Sequence, residues 1–393
     1  STNHNGIAIT IPEAGTHQIR ITPHSCPFTA GWGNAFGYKN DNTGNANTAA
    51  NKQKLISIDA PLTTMAFAPK ESESTTSASW MFANMFSGCT NLTTPAKIAD
   101  TYKLPKKITD LSYFLHSTHA YNTELKAPID LSGLEGWLDG NENITRMNGF
   151  LGSTHYNNTE LKAPIDLTPL AGWFKENESI MNLAQFLAYT HIDNIALEAP
   201  IDLSPLEDWF DGNESITDLS SFLYGTHRTN TNPNTNLEAP IDLSQLKDWF
   251  DCNESITNIG SFLYHTHYNN TKLKAAINLT HLSGWFDTAG RSITTNGFLY
   301  HTHYNNISLN LTGQKIFPNW IKTLKQGTAE TPIKDVTSAF ERMFSCEQEK
   351  SDDTAEPEFE DGTVLSSLGV PSNPSNKRTY TNRNISPVND GWK

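Results

Sequence analysis

Apolar and polar positions follow one long pattern that recurs through the centre of the chain. The fullest copy reads ITDLSSFLYGTH from Ile216, then a polar loop, then NLEAPIDLSQLKDWFDCNES, which ends at Ser255. Successive copies are spaced by 36, 36, 36, 40 and 37 residues. A fixed period of this length indicates stacked repeats that share one core. We number the copies repeats 1 to 6, and they begin at Ile108, Ile144, Ile180, Ile216, Ile256 and Ile293.

Within each copy, the segment APIDLS alternates apolar and polar residues, which predicts a short strand with its Ile and Leu facing the core. A helix is expected to begin at Ser204, because Pro205 and Glu207 follow at positions typical of a capped helix. This short helix would direct Leu206 and Trp209 inward. The predicted inward columns are Ile129, Ile165, Ile201, Ile241 and Ile277, with Leu131, Leu167, Leu203, Leu243 and Leu279.

The segment ITDLSSFL predicts a second helical turn, because its apolar residues fall at i, i+3, i+6 and i+7. One strand and two short helical segments per copy predict a right-handed α/β solenoid. Ankyrin and tetratricopeptide repeats need two substantial helices and signature residues that this sequence lacks. Leucine-rich repeats usually have about 20 to 29 residues. We therefore expect an α/β fold, a leucine-rich-repeat solenoid with enlarged repeats of about 36 residues.

Two kinds of segment resemble a known family. The stretch MFANMFSGCTNLTTPAKI (Met81 to Ile98) and the later IDLS and ITDLSSFL segments are similar to the BspA-like leucine-rich-repeat proteins of bacterial cell surfaces. The resemblance covers Ser79 to Cys346, including a degenerate terminal copy from Asp335 to Cys346, although the longer repeats have Thr-His in place of Gly-Cys. It implies an adhesin that binds macromolecules of a host or a neighbouring cell without catalysis.

The flanks differ from the repeats. Residues 1–78 alternate apolar and polar positions in GIAITI, HQIRIT and KLISID, which predicts a small β-rich cap domain. The solenoid is assigned to residues 79–346. Residues 347–393 form an acidic linker followed by a polar C-terminal tail that is poor in apolar residues.

Charge and hydropathy narrow the classes of partner. The chain has 28 basic and 42 acidic residues, a net charge of −14 and only 37% hydrophobic residues. Because nucleic acids and anionic membranes are bound by clustered Lys and Arg, neither is an expected partner. The apolar runs are far shorter than the roughly 20 residues that span a bilayer, so no membrane insertion is expected.

Cysteine spacing indicates no dense disulfide framework, and the first residues leave the question of secretion open. Cys26, Cys89, Cys252 and Cys346 show no CxxC spacing, which leaves open one or two disulfides and argues against a zinc knuckle. The sequence starts at Ser1 without a leader, which fits either removal of a secretion signal or a trimmed chain.

One histidine follows a threonine in every repeat. This histidine column could form a hydrogen-bonded ladder or, because neutral imidazole binds zinc and copper, a row of metal ligands. We favour the ladder, and no metal or other cofactor is assigned. The metal alternative rests on two HisThrHis segments, which contain His265, His267, His301 and His303. The histidine column comprises His119, His155, His191, His227, His267 and His303.

Three further sets of residues are candidates for a binding surface. The aspartates of IDLS either accept local hydrogen bonds or hold calcium. The loops that follow the histidines place Tyr next to Asn, a pairing suited to contact with protein or carbohydrate. A tryptophan column could stack on sugars if exposed, but its helical spacing from Leu favours core packing. The candidates are Asp130, Asp166, Asp202 and Asp242, with Tyr156, Asn157, Tyr268, Asn269, Tyr304 and Asn305.

Asn-X-Ser/Thr sequences recur and include Asn143, Asn157, Asn177, Asn213, Asn253 and Asn269. They indicate either glycosylation or, in the NES segments, a turn and cap. We favour the turn.

No catalytic motif accompanies the repeats. HExxH, GxSxG, a P-loop and a complete GxGxxG are all absent from the sequence. Six similar histidines also argue against catalysis, which needs one differentiated constellation. We expect an extracellular, surface-displayed binding protein that is not an enzyme and whose partner is a protein or glycan of a host or neighbouring cell. The alternatives are a structural protein that self-associates into a filament or surface layer, and a glycan-active enzyme.

Overall fold

The computed structural model describes most of the repeat region and little of the flanks. The described residues are 15–17, 53, 55–58, 82–94, 104, 108–175, 177–211, 213–230, 235–250, 253–286, 293–311, 313–319, 333–335, 343 and 357–364. The predicted domain of residues 1–78 and the tail of residues 347–393 lie largely outside them, as do Cys26, Cys252 and Cys346.

Successive repeats lie parallel to one another and in register. One residue near the start of each repeat bridges to its equivalent in the next. Backbone amides reinforce this column, as when Leu219 donates to the carbonyl of Asn258 at 2.8 Å. Each repeat therefore rests on the preceding one over matching positions. The bridged residues are Asp110, Arg146, Asn182, Asp218, Asn258 and Thr294.

The stack continues beyond the six repeats. Strand β1 (Ile293–Thr294) pairs in parallel with β3 (Ile333–Asp335), and β2 (Lys315–Phe317) pairs in parallel with β4 (Glu358–Phe359). At the other end, the amide of Asn84 donates to the carbonyl of Ser112 at 2.9 Å. Ser57 also bridges to Thr94 in parallel. Segments on both flanks therefore pair with the repeat region across the expected boundaries.

The core consists of columns of identical apolar residues. The predicted inward Ile and Leu columns are confirmed, because their members are at most 2% exposed. A phenylalanine column runs beside them, with successive ring centroids 5.5 to 5.9 Å apart. Every repeat thus adds a layer to a continuous hydrophobic cluster. The phenylalanine column comprises Phe114, Phe150, Phe186, Phe222, Phe262 and Phe298.

The strand predicted for APIDLS does not form, although its side chains are placed as expected. A strand requires a ladder of amide-to-carbonyl bonds between neighbours. Here the amide of Ile201 donates instead to Nε2 of His227, at 3.3 Å. The His227 ring of the next repeat therefore replaces a backbone carbonyl as the acceptor. The alternation of buried and exposed side chains remains, although no strand forms.

The helical turn predicted for ITDLSSFL is also wrong. The segment is a series of four-residue turns in which Phe222 donates to the carbonyl of Leu219 at 3.2 Å. Alternate amides leave the segment, as when Leu223 donates to the carbonyl of Phe262 in the next repeat at 3.0 Å. An α-helix would need each of these amides for its own i−4 carbonyl. Stacking between repeats therefore excludes the helix.

The helix predicted at SPLE is shorter than expected and begins differently. Single turns of 3₁₀ helix span Ser132–Leu134, Thr168–Leu170, Ser204–Leu206 and Ser244–Leu246, and a longer one spans Leu279–Phe286 with a break at Leu282. The N-cap residue is Leu203, which makes no side-chain cap, and the expected cap residue Ser204 is the first residue of the turn. The amide of Ser204 donates to Oδ1 of Asp202 at 2.9 Å, so the aspartate two residues earlier caps the turn.

Among the described residues, no helix has both the length and the apolar composition needed to cross a membrane.

Candidate binding surface

The histidine column lies inside the stack. Its members are at most 3% exposed, and successive ring centroids are 4.8 to 6.0 Å apart. From repeat 2 onward, Nε2 of each accepts the Ile amide of the preceding repeat, at 2.9 to 3.3 Å. Acceptance at Nε2 places the proton on Nδ1, and in His303 this Nδ1 lies 3.0 Å from Oδ1 of Asn306. The column therefore forms the hydrogen-bonded ladder that we favoured.

Burial keeps these imidazoles neutral. Desolvation lowers the pKa of His227 to about 3 and that of His303 to about 4. For His155, burial acts first and the neighbouring rings of His191 and His119 act second, so its pKa lies well below 6.5. A neutral ring is also what the ladder requires, because a protonated imidazole has no lone pair to accept the amide.

The backbone of the column explains why histidine recurs there. His119, His155 and His227 adopt φ values of 56°, 60° and 59°, in the left-handed region. His, Asn and Asp enter this region more readily than other residues that carry a side chain. This position thus requires a side chain that accepts a hydrogen bond and a residue that tolerates positive φ, and histidine meets both requirements.

The four histidines of the two HisThrHis segments do not converge. His265 and His301 form one pair on the outside, with stacked rings and Nε2 of His265 2.9 Å from Nδ1 of His301. His267 and His303 form another pair in the buried column. Across the described residues, no group of three or more His, Cys, Asp or Glu side chains is arranged to hold a metal ion. The metal row suggested by the sequence is therefore not assembled.

The aspartate candidates are exposed but serve the local backbone. Oδ1 of each accepts the amide two residues later, at 2.9 Å in Asp130, Asp166, Asp202 and Asp242. Asn278 makes the same bond to Thr280 at 3.0 Å. Because an asparagine substitutes without loss of the bond, this column needs no cation to explain it.

The tryptophan column belongs to the core. Trp209 is fully buried, and its Nε1 donates to the carbonyl of Leu170 in the preceding repeat at 3.0 Å. Trp173, Trp249 and Trp285 repeat this bond at 2.7 to 3.1 Å. Their faces are therefore not available to sugars, as the helical spacing from Leu predicted.

Three of the glycosylation sequences form a buried asparagine ladder. Nδ2 of Asn213 donates to the carbonyl of Asn177 at 2.7 Å, and Asn253 does the same to Asn213. Oδ1 of Asn213 accepts the amide of Ser215 at 3.0 Å. These side chains are at most 1% exposed, which supports the interpretation of NES as a turn.

The tyrosine candidates lie on the outside of the stack and are half-buried. Tyr156 packs against Tyr121 of repeat 1, with ring centroids 5.2 Å apart. Tyr268 and Tyr304 are stacked at 4.9 Å with an angle of 7° between their planes. The adjacent Asn269 and Asn305 are joined by an amide hydrogen bond of 2.7 Å, while the amide of Asn157 donates to the carbonyl of Ile192.

Around Tyr268 and Tyr304 the structure assembles a larger surface, which we call the aromatic face. A second tyrosine row, with centroids 4.7 Å apart, runs beside His265 and His301. The ring of His265 contacts Tyr264 at 4.3 Å and Tyr268 at 5.0 Å, which joins the two rows. All members are half-buried. The aromatic face comprises Tyr224, Arg228, Tyr264, His265, Tyr268, Tyr300, His301 and Tyr304.

Sequence reasoning missed half of this surface. The second row lies in the FLYG segment of repeat 4 and the FLYH segments of repeats 5 and 6, and this recurrence was the available signal. In repeat 4, Arg228 occupies the position that Tyr268 and Tyr304 hold in the next two repeats. The sequence did not indicate that this arginine contacts an aromatic ring. Its guanidinium lies over the ring of Tyr268, 5.0 Å from the centroid.

A comparison with models of known protein families finds no match, and none of the curated proteins matches the sequence. The functional interpretation therefore depends on the geometry of the chain's own residues.

Proposed function

We propose that this chain is an extracellular binding protein, an enlarged leucine-rich-repeat solenoid displayed at a cell surface, with the aromatic face as its recognition surface. One observation carries the proposal: the aromatic face varies between repeats, whereas the buried histidine, isoleucine and leucine columns are identical from repeat to repeat. Positions equivalent to Tyr264 hold Gly152 and Ala188 in repeats 2 and 3, and one equivalent to His265 holds Ser153.

A structural requirement of the stack appears in every repeat, as the histidine column illustrates. The aromatic face meets no such requirement, since Gly152 and Ala188 serve at the same position. Half-exposed aromatic rings are also costly to leave in water, and Tyr and Arg dominate the energetics of recognition surfaces. The concentration of these residues over repeats 4 to 6 therefore favours contact with a partner.

The proposal is tested by binding to whole cells. Fluorescently labelled protein is mixed with bacterial, fungal and animal cells, and bound fluorescence is measured by flow cytometry. The double variant Tyr264→Ser with Tyr300→Ser should lose at least tenfold in binding. The control is Tyr121→Ser, which removes a 68% exposed tyrosine of repeat 1 outside the aromatic face and should bind normally.

Two results would overturn the proposal: binding to none of the cells, or equal binding by the wild type and the double variant. Thermal unfolding of each variant checks that the stack is intact. Fibres that grow with protein concentration in negative-stain micrographs would instead support the structural alternative, self-association into a filament.

A further inference from the structure

The accessible parts of the stacked tyrosines are the edges of their rings. Tyr264 is stacked between Tyr224 and Tyr300, at 4.7 Å on both sides and with interplanar angles of 6° and 20°. Both of its ring faces are therefore covered by other rings. Stacking of a sugar on the ring face, the usual use of an exposed tyrosine, is blocked here. What remains available is the row of ring edges and hydroxyl groups, which donate and accept hydrogen bonds.

The spacing of the tyrosines along the stack distinguishes between classes of extended ligand. Equivalent groups recur every 4.7 to 4.9 Å along the stack. Side chains on one side of an extended peptide recur about every 6.7 Å, so they are no longer aligned with the tyrosines after two repeats. One pyranose unit advances a carbohydrate chain by close to one repeat spacing. Because each pyranose unit carries hydroxyl groups on more than one edge, successive units of a polysaccharide lying along the stack can each present a hydroxyl group to a tyrosine.

Arg228 adds one positive charge to this face. Its Nη1 lies 2.8 Å from Nδ1 of His265, and its buried Nε has no hydrogen-bond partner. Among the described residues it forms no ion pair, whereas Lys162, Lys247 and Lys274 do. Nearby Asp193 is 4% exposed and is engaged by the amide and Nδ2 of Asn230.

The arginine also orients the histidine pair. Because Arg228 can only donate, Nδ1 of His265 accepts and its Nε2 carries the proton. That proton is donated to Nδ1 of His301 at 2.9 Å, which leaves the proton of His301 on its own Nε2. Burial, and then the charge of Arg228, lowers the pKa of His265 to about 3. His265 is therefore neutral at pH 7, and the donor and acceptor roles of its two nitrogens are kept. The face thus combines one fixed cation with neutral donors.

We propose that the aromatic face binds an extended carbohydrate chain bearing a single carboxylate, with the acidic sugar at Arg228 and neutral sugars along the tyrosine hydroxyls. This inference rests on the proposed function, since it assumes that the same face is the recognition surface. A densely charged polyanion fits less well, because one guanidinium meets it and the chain has a net charge of −14.

The test uses matched oligosaccharides and isothermal titration calorimetry. The probes are xylohexaose, the same hexasaccharide bearing one glucuronic acid, a heparin hexasaccharide and a hexaglutamate peptide. The glucuronic acid derivative should bind at least tenfold more tightly than xylohexaose, and more tightly than heparin or the peptide. Arg228→Gln should abolish the difference between the first two probes without changing the weak affinity for xylohexaose.

Arg146→Gln is the control, since it removes an exposed arginine of repeat 2 outside the aromatic face. Equal binding of the two xylan probes, retention of the preference in Arg228→Gln, or tighter binding of heparin or hexaglutamate would overturn the inference. If cell binding still depends on Tyr264 and Tyr300 in that case, the proposed function stands and only the ligand class is wrong. If cell binding is also independent of those tyrosines, both fail.

Discussion

Mild acid should unfold the stack through the histidine column. The rings are buried against one another, and the amide of Ile201 depends on an unprotonated Nε2 of His227. Other histidines and asparagines face these rings, as where Asn194 bonds to His191, and no carboxylate of the described residues is among the causes that shift their pKa values. Within the part of the chain that the structure describes, no ion pair therefore compensates a charge in the column.

The sign follows from the direction of the pKa shifts. Above pH 6.5 the rings are neutral in both the folded and the unfolded chain. Between 6.5 and the folded pKa values of about 3 for His227 and about 4 for His303, only the unfolded chain binds protons. The free energy of unfolding therefore falls as the pH is lowered through this window.

The magnitude is about 1.4 kcal/mol per pH unit for each histidine that stays neutral in the folded state. At pH 5 this is about 2 kcal/mol per ring, and on the order of 10 kcal/mol for six rings. Domains are commonly stable by about 5 to 15 kcal/mol, so the column alone can decide whether the stack survives.

The assay is urea unfolding between pH 7.5 and 5.5, followed by the fluorescence of the buried tryptophans. This range lies above the usual pKa values of carboxylates, so their titration contributes little. His227→Gln keeps an oxygen acceptor but cannot titrate, and should reduce the slope of stability against pH by about 1 kcal/mol per unit between about pH 6.5 and 5.5. Leu246→Ala, outside the column, should lower stability equally at every pH. A slope unchanged in His227→Gln would refute the reasoning.

Three other predictions concern the stack and are tested by urea unfolding at pH 7.5. Trp209→Phe should cost about 1 to 3 kcal/mol by leaving a buried carbonyl without its donor, whereas Trp137→Phe should cost less, because its Nε1 has no such partner. Asn213→Ala should cost about 2 to 4 kcal/mol, since both bonds of its ladder position are lost; a loss below 1 kcal/mol would contradict this. Gly149→Ala should destabilise more than Gly172→Ala: both have positive φ, but only at Gly149 would the new Cβ overlap the Tyr113 ring. Equal losses would argue against that clash.

The sequence predicted columns well and backbone conformation poorly. Burial of the Ile and Leu of APIDLS followed from alternation, yet the strand itself did not form because His227 intercepts the amide of Ile201. The helix expected for ITDLSSFL failed for a similar reason, since alternate amides bond to the next repeat. Local patterns report which face is apolar, and they do not report which distant acceptor an amide will find.

The candidate surface was recovered in part. Tyr268 and Tyr304 were identified from their loops, and they do lie together. Their neighbours Tyr264 and Arg228 were missed, because the stacking of Tyr264 on the tyrosines of adjacent repeats and the contact of Arg228 with Tyr268 join residues 36 to 40 apart in sequence. Only stacking in register brings such positions within 5 Å.

The repeat period, the identity of the core columns and the recurrence of Thr-His were determined by the sequence alone, because periodic burial leaves a periodic pattern of side chains. The tertiary structure decided which polar columns are internal. A buried polar group needs a partner, and in this protein the partner of His227, Trp209 or Asn213 belongs to the preceding repeat. The same stacking separated His265 from His267 and gathered the aromatic face, since residues two apart point to opposite sides while residues one repeat apart meet.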